Sequence, residues 1–129
     1  MREIKFRAWV KKEKKMHLAQ HMMYMQRNDM KGWIILPKGR GETSWLKVRE
    51  IELMQYTGLK DKNGKEIYEG DIVVNEQVVS PARVQYKQNK CAFMKTYQDG
   101  VSLPIHIDSK GFESIEIIGN IYENKELLK

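Results

Sequence analysis

The sequence predicts a mainly β fold, α+β at most, in a single domain of 129 residues. Three observations lead there. Apolar residues alternate with polar ones at the strand period near the N-terminus. Turn signals recur every few residues through the second half, spaced as a small barrel or sandwich requires. No ten-residue amphipathic helix separates the candidate strands, which disfavours a parallel βαβ arrangement.

Taken in order, Ile4, Phe6 and Ala8 alternate with Lys5, Arg7 and Trp9, the pattern of a half-buried strand. Residues 11–15 form a charged turn. Between 16 and 30 the alternation blurs, and five of the eight methionines fall there. Methionine is flexible and polarizable, so such a cluster suits either core filling or an adaptable contact surface. His17 and His21 sit four apart, which on a helix would aim both rings at one ion. Their surroundings read as strand, where that spacing holds the rings too far apart, and no third ligand is near in sequence; no metal is expected. Residues 33–36 form a short apolar strand stopped by Pro37, and LPKGRGETSW follows as a Gly-rich basic loop bracketed by Trp33 and Trp45.

The stretch from 50 to 75, EIELMQYTGLKDKNGKEIYEGDIVVN, is the most densely punctuated. An apolar run of Ile51, Leu53, Met54 and Tyr56 breaks at Thr57-Gly58, turns at Asp61-Lys62-Asn63-Gly64, and leads through Gly70-Asp71 into Ile72, Val73 and Val74. It fails as a phosphate-binding loop, because five residues separate Gly58 from Gly64 and Lys65 is followed by Glu66. As an EF-hand starting at Asp61 it would need Gly at Glu66 and Glu at Ile72. Asp61, Glu66, Glu69 and Asp71 therefore read as solvated loop carboxylates, with Asp71 able to bond the backbone where the next strand begins. Further strands are expected at 82–86, 92–97, 103–107 and 114–118, with a last edge at 119–122 and Asn124 capping a short helix through Leu128. The lone Cys91 reads as a half-buried strand residue.

The formal charge is +6, and it is unevenly placed. Residues 1–49 carry 13 Lys and Arg against 4 Asp and Glu, whereas residues 50–129 carry 10 against 13. Such asymmetry can mark a polyanion-facing surface, or a basic part that packs on an acidic one. No window is apolar enough to span a membrane and no signal-peptide core is visible, so the expectation is a soluble protein of the cytoplasm that meets no membrane.

The segments REIKFRAW, LMQYTGLKDKNGKEIYEGDIV and IEIIGNIYEN together resemble the YopX family of small proteins encoded by bacteriophages and prophages. They anchor the beginning, middle and end of the chain; no pattern is matched from about Lys11 to Arg49. Two positions depart from the family pattern: Val10 follows Trp9 where Asp is usual, and Lys125 stands in place of Pro. The resemblance implies a mostly β protein with an SH3-like barrel in its C-terminal part. The expected division is a basic N-terminal β extension over 1–49, the barrel-like part over 50–122 and a short terminal helix over 123–129. The resemblance also implies a setting, the cytoplasm of a bacterial host, and carries over no activity or catalytic residue.

Three functions follow as expectations. The first is a non-catalytic module that binds a host or phage protein, or a second copy, through the Met-rich and aromatic N-terminal part. The second is nucleic-acid binding by Lys5, Arg7, Lys11, Lys12, Lys14, Lys15, Lys38 and Arg40, with Trp33 and Trp45 beside them. The third and weakest is an enzyme, since no candidate nucleophile has a neighbouring base and no cofactor motif is present.

Overall fold

The computed structural model describes residues 3–27, 30–37, 46–75, 80–105 and 115–128, leaving aside the side chains at 25–27, 30–34 and 48. Two compact units emerge, Lys5–Gln55 and a second built from Met1–Ile4 with Tyr56–Lys129. All described strand pairings are antiparallel, so the protein is mainly β as expected.

In the first unit β1 (Phe6–Val10) is followed by β2 (Lys15–Arg27), β3 (Met30–Pro37) and β4 (Leu46–Lys47). A 3-10 turn over Val48–Glu50 leads into β5 (Ile51–Lys60), whose first half belongs to this unit. The strands lie in the order β4-β3-β2-β1-β5. Register explains the core: Ala8 faces Leu53, Val10 faces Ile51, and Ile35 faces both Met22 and Leu46. Opposed residues share a sheet face, and Ala8, Val10, Ile35, Leu46 and Ile51 form one buried cluster there. The blurred pattern in the Met-rich stretch has a simple origin. A register shift between Ala19 and His21 reverses the facing of everything after it.

The second unit takes the rest of β5, then β6 (Glu66–Tyr68), β7 (Asp71–Asn75), β8 (Ala82–Lys87), β9 (Ala92–Thr96), β10 (Ser102–Pro104) and β11 (Ile115–Asn120). Five of these form a sheet in the order β10-β9-β8-β7-β11. Ile67, Val73, Ala82, Val84 and Ile115 make its core. The expected barrel does not close. β10 and β11 stay at opposite edges of the described sheet, and β10 ends on Pro104, which has no N–H to offer another strand.

Several local expectations change. β5 does not stop at Thr57-Gly58 but bulges, with Gly58 at φ 87 and a register shift between Tyr56 and Lys60. Thr57 holds the bulge: its hydroxyl donates to the Ile67 carbonyl at 2.8 Å and accepts the Leu59 N–H at 3.2 Å. Residues 119–120 continue β11 rather than starting a new strand. The terminal helix is a short 3-10 segment, Lys125–Leu128, and the Asn124 amide oxygen points backward to accept the Asn120 N–H at 3.2 Å. Cys91 is exposed in a turn at φ 51, not in a strand. Residues 106–114, part of the third and fourth expected strands, lie outside the described residues.

Candidate interaction surface

Asp61 and Asp71, expected in solvent, are buried, and each is occupied by its own backbone. Asp61 is 1% exposed; its Oδ1 accepts the N–H groups of Asn63 and Lys65 at 2.9 Å each, and Oδ2 accepts that of Ile117 at 3.1 Å. Asp71 Oδ2 accepts the Tyr68 N–H at 2.8 Å, closing the turn into β7. Carboxylates so engaged hold turns in place and are poorly placed to move protons for a substrate. Among the described residues no three His, Cys, Asp or Glu side chains gather as a metal shell would. The bulge in β2 also separates the two histidines. His17 faces Ala8 on the core side, while His21 faces Leu36 on the other, and His17 Nε2 instead meets Glu13 Oε2 at 3.1 Å.

The basic candidates divide. Lys11, Lys12, Lys14 and Lys15 come together at the β1–β2 turn, all exposed. Lys11 is engaged there, its Nζ lying 3.4 Å from Glu52 Oε1 and donating to the Arg49 carbonyl at 3.3 Å. Lys5 and Arg7 are half-buried, and Arg7 stands on the opposite face of the sheet from Lys15, because Lys15 opposes Val10. Lys38, Arg40 and Trp45 lie outside the described residues, and of Trp33 only the backbone is described, opposite Tyr24. The described cations therefore make one basic turn rather than a continuous face. Glu13, Glu50 and Glu52 stand in or beside that turn: the Glu50 carbonyl takes the Lys11 N–H at 3.2 Å, and Glu52 meets the Lys11 ammonium.

A second feature of this unit is an arm. β1 pairs with β2 as far as Leu18, and β4 pairs with β3 at Ile34 and Ile35 alone. Beyond those rungs the described ladder is two strands wide, running to Arg27 opposite Met30. Four residues of β2, 24–27, at the strand rise give a ribbon of about 13 Å. Met23 and Tyr24 are consecutive, so they point to opposite faces. Both keep about half their surface in solvent, 48% and 53%. Leu18, at the base, is exposed as well. The sequence signal for this arm was the methionine cluster; its reach could not be read, because that depends on where β1 and β4 stop pairing.

Comparison with known proteins agrees with this architecture. A protein from Enterococcus faecalis, known from its crystal structure, is similar over 100% of both chains, with 27% identity and a TM-score of 0.62. The crystal structure of yopX from Bacillus subtilis is similar over 100% of both chains at 22% identity, with a TM-score of 0.57, which speaks to the fold alone. A search of curated proteins found no match. The sequence matches the YopX protein family over residues 5–129, nearly the whole chain, and the chain therefore belongs to the YopX family.

Proposed function

We propose that this protein is a non-catalytic binding module of a bacteriophage or prophage, acting in the cytoplasm of the bacterial host, and that the β2–β3 arm is its contact element for a host or phage protein. The observation that carries this reading is the pair Met23 and Tyr24, half exposed on opposite faces where the sheet narrows to a two-stranded ribbon. A two-stranded ribbon is marginally stable in water on its own. Apolar side chains on both of its faces gain most when a partner covers them, and Met and Tyr are side chains that interfaces favour. The engaged carboxylates of Asp61 and Asp71 support the non-catalytic part of the reading.

Nucleic acid is the competing partner, favoured by one observation. Lys12, Lys14 and Lys15 are exposed at one turn, in a unit whose residues 5–55 hold 12 Lys and Arg against 5 Asp and Glu. Salt separates the two readings, because phosphate contacts release counterions and weaken steeply with ionic strength. Co-purification from host cells is expected to persist between about 50 and 200 mM salt, to be lost in Met23→Glu and Tyr24→Glu, and to survive the triple change of Lys12, Lys14 and Lys15 to Ala. Oligonucleotide binding that falls steeply over the same range and vanishes in the lysine triple variant would replace this reading with the nucleic-acid one.

A further inference from the structure

Lys95 lies on the sheet face that carries the core residue Val84, near the margin where that face becomes exposed at Tyr86 and Leu103. Its cross-strand neighbours are Val84 on β8 and Leu103 on β10, Phe93 lies two back along β9 on the same face, and Tyr97 follows just past the strand's end. It is only 5% exposed, yet its ammonium makes no hydrogen bond or ion pair among the described residues. The buried stem is ordinary for a lysine whose ammonium reaches water through a small opening. That no described residue supplies a counter-charge is not ordinary, since buried cations are as a rule paired.

The surroundings indicate what would pair with it. On one side Tyr86 and Phe93 form an edge-to-face pair with ring centroids 5.3 Å apart, and Tyr86 is exposed. On the other side Leu103 and Val101 are exposed, and with Pro81 and Tyr97 they wall a cleft of about 550 Å³, a volume within the usual range of ligand sites. Asp99 also lines that cleft, its Oδ1 taken by the Val101 N–H at 3.0 Å. A single cation set among apolar and aromatic side chains fits a carboxylate carried on an apolar segment. It does not fit a phosphate backbone. Residues 1–4 and 56–129 carry 11 Lys and Arg against 12 Asp and Glu, and the rings, inclined at 69°, offer no flat platform for stacked bases.

We propose that the β8–β9–β10 face is a second binding site, separate from the arm, for an extended segment of a protein partner in which Glu or Asp is flanked by apolar residues. The carboxylate pairs with Lys95 Nζ, and an apolar side chain enters the cleft beside Leu103. Pro104 makes β10 a poor template for strand addition, because it has no N–H to offer. Recognition is by side chains.

The test uses the full-length chain and a pool of blocked pentapeptides with a central Glu and Leu, Val, Phe or Tyr elsewhere, against the same pool with Gln at the centre. Amide shifts are followed by NMR. The Glu pool is expected to bind about tenfold or more tightly than the Gln pool, as a charge-assisted bond allows, with shifts centred on Lys95 and Leu103. Lys95→Met, which keeps the stem, should bind both pools alike; Lys95→Arg should keep the preference; Tyr24→Glu on the arm should leave it unchanged. Equal binding of the two pools by the unaltered protein, no saturable binding of either, or a preference that survives Lys95→Met overturns the proposal. Oligothymidylate binding that disappears in Lys95→Met would also overturn it and assign the site to phosphate.

Discussion

Asp61 shows how much one side chain organises in the second unit. Its two oxygens take three backbone N–H groups, two from its own turn and one from β11, 56 residues away. The neighbouring Lys62 N–H bonds the Ile115 carbonyl at 3.0 Å, so the turn is tied to β11 twice. Replacing Asp61 by Ala strands these donors in a buried site, at an expected cost of about 3 kcal/mol. Denaturant unfolding measures it, and a change below about 1 kcal/mol would show that water replaces the carboxylate. Gly119 sets a different constraint. A Cβ there would lie 2.5 Å from Asn124 Oδ1 and 2.7 Å from its Cγ, so Gly119→Ala must displace the amide that accepts the Asn120 N–H. The expected loss is about 1–2 kcal/mol. Because the clash and the lost bond share one side chain, Gly119→Ala should cost much less in an Asn124→Ala background, and a double-mutant cycle reads the difference.

At the scale of elements, the bulges decide what the chain can be read to do. Thr57→Val leaves the Ile67 carbonyl and the Leu59 N–H without the hydroxyl they share. The change is expected to destabilise by about 1–2 kcal/mol, seen as a lower denaturation midpoint at unchanged slope. Turn residues made β8 and β9 legible within a residue, and the period of two placed β1 within two residues. They misled at Thr57-Gly58, where a glycine at positive φ bends a strand without ending it, and from Ala19 onward, where one extra residue reverses the facing. Asp61 could not be placed from sequence because its partner at Ile117 is set by tertiary pairing. Lys95 left a faint trace: Phe93, Lys95 and Tyr97 share one strand face, and a lysine between two aromatics on such a face invites the question of what meets its charge. The open sheet was hidden too, because barrel closure depends on which edges find each other.

Over the whole molecule, charge and apolar surface indicate different partners, and their placement decides between them. The cations of the N-terminal half do not form one described face: Lys11 is engaged, Lys5 and Arg7 are half-buried, and the basic turn has glutamates beside it. The arm, by contrast, carries exposed apolar side chains on both faces where the sheet narrows to a ribbon. A photo-reactive amino acid placed at Met23, and separately at Lys14 in the basic turn, tests this most directly in host cells. One discrete protein adduct is expected from position 23, suppressed by Tyr24→Glu, and none from position 14. Adducts from position 14 alone, or nucleic acid cross-linked at either position, would contradict this expectation.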